Sequence, residues 1–220
     1  MSFNITKYKE IKDFIADFRA INKKTPPISI IPVSKNQSIE TIKKALGSGI
    51  RIFGENRVQE AEVKFKNLKN QYKDLELHMI GSLQTNKVTK AIKLFDCFHT
   101  LDRESLAKEF VKCLQKNNLS KFFFIQVNTG LEKQKGGIDP KFINEFIKYC
   151  TEDLKLNVIG LMCMPPIDQK PKQHFLMLRK MALDNHLQNL SMGMSKDYEI
   201  ALSCGATHIR LGTCLFGERL

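Results

Sequence analysis

A lysine at the end of an apolar segment is the residue whose position most directly suggests chemistry. Lys35 follows the run 28–34 (ISIIPVS), and period-two alternation places it on the same face as Ile31 and Val33. An amine at the mouth of an apolar interior loses hydration, which favours its neutral form. A neutral amine can attack an aldehyde and form a Schiff base. The other interpretation is a strand-end lysine that turns out to solvent.

Two glycine-containing turns late in the sequence have the residue types of a phosphate site. They are 191–195 (SMGMS) and 210–213 (RLGT), which supply the hydroxyls of Ser191, Ser195 and Thr213. Glycine lets the backbone approach an anion, and backbone N–H groups and hydroxyls donate to it. Each hydrogen bond to such a charged group contributes about 1.5–3 kcal/mol. Ordinary tight turns with N-capping serines are the alternative.

Arg210 opens the second turn and limits what the bound group could do. An aldehyde, a phosphate and an aromatic ring are combined in pyridoxal 5′-phosphate (PLP). An arginine is always charged and only donates hydrogen bonds, so at the pyridine nitrogen it would keep that nitrogen unprotonated. The ring would then be a poor electron sink, bound firmly but weak in carbanion chemistry. An arginine paired with a carboxylate at a barrel rim is the alternative.

The segments that would position these residues alternate regularly along the chain. Eight apolar runs predict strands, at 28–34, 50–53, 76–80, 95–99, 121–127, 156–162, 189–193 and 207–211. Helical patterns lie between them, at 38–48, 56–70, 84–93, 103–117, 139–152, 171–187 and 196–204. Strict alternation implies parallel strands joined by right-handed crossovers.

Eight such units favour a closed (β/α)8 TIM barrel, an α/β fold, over an open sheet. We expect one domain, 1–220, because a barrel of this class takes roughly 250 residues. Ligands bind at the C-terminal ends of the strands in such barrels, and phosphate after strands seven and eight. Since few residues follow the last strand, we expect the amphipathic segment 5–24 to cover the flank that the eighth helix normally covers.

Composition and charge argue against several other classes of protein. The net charge is +12, but the lysines are spread along the chain at positions expected to face water, as in Lys64, Lys66 and Lys69. A solvated surface is therefore favoured over a nucleic-acid interface. The six cysteines form no C-x-x-C pair, which favours buried reduced thiols over a zinc site or a disulfide framework. The sequence shows neither a membrane-spanning run nor a secretory signal, so we expect a cytoplasmic protein without membrane contact.

Several longer motifs carry a family resemblance that covers nearly the whole chain. The stretches 31–60, 78–87, 160–166 and 190–219 contain the patterns S-K, F-G-E-N, H-x-I-G-x-L-Q-x-N-K and S-M-G-M-S. Together they resemble the PLP homeostasis protein family, the single-domain relatives of the N-terminal barrel of alanine racemases. The resemblance implies a PLP-binding barrel of fold type III. It also implies a role in vitamin B6 and amino-acid balance, with no established catalytic turnover.

The resemblance assigns roles to individual residues. Lys35 matches the lysine that forms the imine, Asn56 lies beside the ring, and Arg210 faces the pyridine nitrogen. His78 matches a histidine that we expect mainly behind the direct contacts. The implied phosphate contacts and their flanking residues are Ser191, Met194, Ser195, Gly212 and Thr213. Two positions depart from the family pattern: Leu77 stands where tryptophan is frequent, and Lys196 where an acidic residue is common.

A racemase of this fold needs a second base besides the lysine. In the related racemases it is a tyrosine from the neighbouring subunit of a dimer that uses an additional all-β domain. The four tyrosines here lie in helical patterns, at Tyr8, Tyr72, Tyr149 and Tyr198. We therefore expect a monomeric, non-catalytic carrier that captures PLP on Lys35 and releases it by transimination, with free amino acids or PLP-dependent apoenzymes as acceptors.

Other interpretations stay open from the sequence. The loop 130–137 (GLEKQKGG) could place Lys133 and Lys135 as a mobile lid or a secondary PLP contact, or it could be a solvated loop. A PLP-dependent racemase-like enzyme and a Schiff-base aldolase-type enzyme would use the same lysine. A basic nucleic-acid-binding module would show steep salt dependence.

Overall fold

The computed structural model describes residues 3–23 and 25–217, so the ends of the predicted domain and of its last motif lie outside the described part. Eight parallel strands form one sheet in the order β1-β8-β7-β6-β5-β4-β3-β2. The predicted strand–helix alternation and parallel barrel are confirmed. The strands are β1 Ser29–Pro32, β2 Ile52–Glu55, β3 Glu76–Met79, β4 Cys97–Leu101, β5 Phe122–Val127, β6 Asn157–Cys163, β7 Asn189–Ser191 and β8 His208–Leu211.

The barrel is nearly closed, with its seam between β1 and β2. These strands stand at the two ends of the sheet order and meet through an isolated parallel bridge between Val33 and Gly54. Just beyond the bridge, the Ser34 N–H donates to the Gly54 carbonyl at 3.0 Å. A Cβ atom at Gly54 would lie 2.9 Å from Ile31 and 3.0 Å from Ile80, so glycine is what allows the two interior side chains to pack here.

Helices surround the strands and bury one apolar face each against them. In the second helix, Ser38 caps the N-terminus through the Thr41 N–H, and Ile42, Ala45 and Leu46 are buried. The α-helices are α1 Ile5–Ile21, α2 Ile39–Gly47, α3 Val58–Gln71, α4 Val88–Leu94, α5 Glu104–Asn117, α6 Ile143–Lys148, α7 Pro171–Asp184, α8 Tyr198–Ser203 and α9 Thr213–Phe216. No helix in the described ranges is both long and apolar enough to span a membrane.

The N-terminal helix packs beside the end of the chain, as the sequence predicts. The Asn4 N–H donates to the Leu215 carbonyl at 2.8 Å, and the Phe3 and Phe216 rings lie 5.3 Å apart. Ile11 and Ile15 are the buried apolar residues of α1. The short helix α9 after β8 was not predicted, because a single helical turn leaves little periodicity to detect.

Two further expectations need correction. The predicted helix 139–152 is broken into a 3-10 turn (Pro140–Phe142), α6 and a π-helical turn (Tyr149–Asp153). Lys64 does not face water: its side chain is only 5% exposed, because that face of α3 packs on the strands. Lys69 is partly buried in an ion pair with Asp96, whereas Lys66 is exposed as expected.

Candidate functional site

A cavity of about 610 Å³ opens at the C-terminal ends of the strands. Ligand pockets in proteins typically measure roughly 300–1,000 Å³. The side of the cavity formed by β1, β2, β7 and β8 holds seven of the residues predicted from sequence, Lys35, Asn56, Met194, Ser195, Arg210, Gly212 and Thr213. Lys35 and residues of both glycine-containing turns therefore line one cavity, as the sequence predicts.

The turn after β7 is built tightly around a glycine. Gly193 has φ +91°, and a Cβ atom there would lie 2.6 Å from the Cβ of Ala201. Only glycine satisfies both the backbone conformation and the close packing on α8. The Met194 N–H donates to Asp197 Oδ1 at 2.6 Å and the Cys214 N–H donates to Ser195 Oγ at 3.3 Å, so the two turns are tied together.

Gly212, in the turn after β8, has a different role. A Cβ atom there would meet nothing closer than the Cβ of Val33 at 3.7 Å, which is an ordinary contact. The fold would therefore accept a side chain at this position. Because Gly212 and Val33 both line the cavity, such a side chain would take up ligand space. Glycine keeps that space free beside the Thr213 hydroxyl.

Arg210 is held rigidly from below the cavity. It is 4% exposed, its Nη1 donates to Ser191 Oγ at 2.5 Å, and its Nη2 donates to the Cys163 carbonyl at 3.0 Å. Burial lowers the pKa of the guanidinium from its ordinary value, but arginine stays charged in proteins. The cavity floor therefore carries a fixed positive charge in a low-dielectric setting.

A chain of hydrogen bonds runs from Arg210 down the barrel interior. Arg210 only donates hydrogen bonds, so Ser191 Oγ accepts one from it. The Ser191 hydroxyl in turn donates a hydrogen bond to His99 Nδ1 at 2.7 Å. His99 then carries its proton on Nε2 and donates to His78 Nδ1 at 2.8 Å. Burial, together with the neighbouring positive groups, places the pKa of His99 well below its ordinary value, so this ring is neutral.

The same region holds three potential metal-ligand atoms, from His78, Cys97 and His99, all within 4.8 Å of one another. The two imidazole nitrogens share a hydrogen bond, which coordination of both would break. Burial also raises the pKa of the Cys97 thiol well above its ordinary value and so disfavours the thiolate. The geometry is that of a hydrogen-bonded support for Arg210.

The remaining two predicted site residues are Ser191 and His78. They belong to the chain of hydrogen bonds below Arg210 and are not among the residues that line the cavity. Ser191 Oγ is occupied by Arg210 and His99, so its hydroxyl supports the arginine. His78 is 3% exposed and lies behind the direct lining, where it was expected. Its Nε2 is 3.2 Å from Glu76 Oε1 in a contact too poorly aligned to count as a hydrogen bond.

The loop after β5 reaches the edge of the cavity. Lys135 Nζ lies 2.6 Å from Glu132 Oε2 and donates to the Pro165 carbonyl at 3.3 Å, while Lys133 is exposed. Asn128 accepts from the Glu132 N–H at 3.1 Å and thereby shapes the turn. Of the two lysines, Lys135 is thus the one fixed near the cavity wall.

No role was predicted from the sequence for the apolar wall of the cavity or for the groups behind Lys35. The wall is Ile80, Met164, Pro165, Pro166 and Ile167. Most of its sequence signal was present in the stretches HMIG (78–81) and GLMCMPP (160–166), which run past the ends of β3 and β6. Behind Lys35 lie Glu55 and Lys64. The sequence signal for a buried lysine was that Lys64 falls on the same face of α3 as the buried Ala61 and Leu68.

The residues around the cavity suit an aromatic anion. Lys35, Lys196 and Arg210 supply positive charge, and the Ser195 and Thr213 hydroxyls supply donors. Asn56 Oδ1 is buried without a hydrogen-bond partner among the described residues and lines the cavity, so it is available to a donor on a ligand. The apolar wall matches the face of a ring. The donor set therefore fits PLP.

Known proteins share both the sequence and this architecture. The family model of the alanine racemase N-terminal domain matches residues 11–220. The pyridoxal phosphate homeostasis protein of Aquifex aeolicus is 41% identical over 199 residues, which cover 86% of each chain. The chain belongs to the pyridoxal phosphate homeostasis protein family. A second member, from Haemophilus influenzae, is 33% identical over 90% of this chain and 88% of its own.

Solved structures place this pyridoxal phosphate homeostasis family member in the same fold group. PipY of Synechococcus elongatus, solved with PLP bound, is 34% identical, with a TM-score of 0.81 over 92% of this chain and 100% of its own. An alanine racemase from Clostridium difficile is 11% identical, with a TM-score of 0.71 over 99% of this chain and 61% of its own, and shares the fold alone.

Proposed function

We propose that this family member is an intracellular PLP carrier that holds the cofactor as a Schiff base on Lys35 Nζ and releases it by transimination. The observation that carries the proposal is that Lys35, Arg210 and the two glycine-containing turns face a single cavity. The PLP-bound structure of PipY, a relative of 34% identity, supports the identity of the ligand. Attachment expels one water; an incoming amine then takes over the aldehyde carbon and returns the amine of Lys35.

The chain's own residues have separable tasks in this proposal. Ser195, Thr213 and the backbone of the two turns bind the phosphate, with Met194 alongside. Asn56 accepts from a donor on the ring, and the apolar wall excludes water from its face. When bound, PLP supplies an electrophilic carbonyl and an electron-accepting ring. Arg210, a permanent cation held by Ser191, faces the ring nitrogen and keeps that nitrogen unprotonated. An unprotonated ring withdraws electrons only weakly.

The same arrangement supports storage and delivery rather than turnover. Among the residues that line the cavity there is no tyrosine to act as a second base opposite Lys35. The relatives are named as homeostasis proteins, not racemases. The six cysteines are free thiols, as expected in the reducing cytoplasm, where we place the protein. We further propose that it acts as a monomer without nucleic acid, and that amino acids or apoenzymes are the acceptors.

The direct test is the visible absorption spectrum of the purified protein with added PLP, followed by borohydride reduction and peptide mass spectrometry. We expect a Schiff-base band in the wild type and a stable pyridoxyl adduct on Lys35. Lys35→Ala should lose both, while Lys43→Ala, which removes an exposed lysine of α2, should keep both. An adduct on Lys196 or Lys135 with Lys35 unmodified would overturn the proposal.

The competing chemistries give different results in the same set of samples. A racemase-like enzyme would exchange the α-hydrogen of alanine for deuterium from the solvent at a rate set by enzyme concentration. In an aldolase-type enzyme, borohydride would trap a sugar phosphate on the lysine in the absence of PLP. The carrier proposal predicts neither, and it predicts that added amino acid shifts the absorption band and releases the cofactor.

A further inference from the structure

A buried ion network lies directly behind Lys35. Lys64 Nζ contacts Glu55 Oε1 at 2.5 Å, Glu60 Oε1 at 2.8 Å and the Ser34 carbonyl at 2.7 Å. An ammonium group has three donors, and three acceptors surround this one. Lys64 is 5% exposed and Glu55 0% exposed, so the pair is shielded from solvent.

The network grips the backbone on both sides of Lys35. On one side, Ser34 Oγ donates to Glu55 Oε1 at 2.6 Å while its carbonyl accepts from Lys64. On the other, the Asn36 N–H donates to Glu60 Oε1 at 2.5 Å. Asn36 has φ +60°, a left-handed conformation that costs energy for most side chains and that its neighbours must maintain. The chain thus turns sharply immediately after Lys35.

The electrostatics show that this arrangement is held by mutual support. Burial raises the pKa of Glu55, an effect that Lys64 and Ser34 partly offset. Burial would also raise the pKa of Glu60, but Lys64 and the Asn36 N–H outweigh it and lower that pKa. Breaking such a pair by removing one partner leaves an uncompensated buried charge, whereas removing both is far better tolerated.

We propose that Glu55, Lys64 and Glu60 are positioning residues that hold the 34–36 backbone so that Lys35 Nζ points into the cavity. None of the three lines the cavity itself. The inference rests on the proposed function, because it assigns the network to the amine that captures the aldehyde. A merely structural role, closing the β1–β2 seam, would affect every ligand of the cavity alike.

The test compares PLP with 4′-deoxypyridoxine 5′-phosphate, which keeps the ring and the phosphate but has no aldehyde. In Lys64→Met we expect the affinity for PLP to fall by at least about tenfold, while the affinity for the analogue stays within about twofold of wild type. The double variant Glu55→Gln, Lys64→Met should regain much of the lost thermal stability without regaining PLP affinity, since the Lys64 contacts to the Ser34 carbonyl and to Glu60 stay absent.

Lys69→Met is the matched control. Lys69 lies on the same helix and forms a partly buried pair with Asp96 at 2.5 Å, and its other hydrogen bond is to the Leu94 carbonyl. We expect wild-type affinity for both ligands at a temperature where all variants are folded. Equal weakening of PLP and analogue in Lys64→Met, or unchanged PLP affinity, would refute the positioning role. Failure of the wild type to trap PLP on Lys35 would instead refute the proposed function.

Discussion

The histidines inside the barrel predict a specific loss of stability in acid. His208 packs against Phe124 with ring centroids 5.0 Å apart and shares a 2.8 Å hydrogen bond with Thr207. Burial, with smaller contributions from His78 and Arg210, lowers its pKa to about 4, although Glu76 acts in the opposite direction. In the unfolded chain a histidine has a pKa of about 6.5.

The direction of the change in folding stability depends on which state binds more protons. Above pH 6.5 His208 is neutral in both states; between pH 6.5 and about 4 the unfolded chain binds a proton that the folded protein does not. Folding stability therefore falls as the pH falls through this window, by about 1.4 kcal/mol per pH unit for one group. From pH 6.5 to 4.5 the contribution of His208 amounts to about 2 kcal/mol, because the unfolded histidine is only half protonated at pH 6.5. His99, whose pKa is also lowered by burial, acts in the same direction.

Urea denaturation of wild type and His208→Phe at a series of pH values measures this contribution. Phenylalanine keeps the ring packing and removes the titrating group, and carboxylates common to both proteins cancel in the difference. We expect the wild type to lose about 2 kcal/mol more than the variant between pH 6.5 and 4.5. His186→Asn, at an exposed turn position, should follow the wild-type curve. Parallel curves for wild type and His208→Phe would refute the reasoning.

Three further predictions concern the cavity and its support. Gly212→Leu should fold with a near-normal melting temperature yet lose PLP binding in an absorbance titration, because the nearest atom to a Cβ is 3.7 Å away and the side chain would occupy the cavity; a variant that still binds would contradict this. Ser195→Ala should weaken PLP by about 1.5–3 kcal/mol through loss of one donor to the phosphate, while affinity for phosphate-free pyridoxal stays unchanged. Lys64→Met should destabilise folding by about 3–5 kcal/mol in urea titrations, and adding Glu55→Gln should reverse most of that loss; additive losses would show that the two charges are not coupled.

The architecture was predictable because local sequence and global fold agree. Each strand run is short, apolar and followed by an amphipathic segment, and β2, β4 and β8 were each located to within two residues. The shift of β2 from 50–53 to Ile52–Glu55 matters for function, since it moves Glu55 from the loop into the barrel wall. Boundaries move in this way because burial by the outer helices, as for Phe95, makes residues beside a strand apolar as well.

The positions of Lys35 and Gly212 at one cavity were predictable from the strand ends, and the tight turn at Gly193 from its residue type, whereas their roles in binding PLP stay predictions. The site was not predictable where the partners of a polar side chain depend on tertiary packing. Lys64 carries the same letter as the exposed Lys66, and only the packing of α3 on the seam separates them. Ser191 lies in the predicted phosphate turn, but its hydroxyl points to Arg210 and His99, a choice set by the barrel interior.

The seam between β1 and β2 closes the barrel. β1 and β2 stand at the two ends of the sheet order and meet through the bridge of Val33 and Gly54, next to the ion pair of Glu55 and Lys64. Local opening costs least where few backbone hydrogen bonds must break. The bridge between β1 and β2 is such a place and adjoins Lys35, the residue that we propose binds PLP, so we expect local opening at this seam to disturb Lys35 directly.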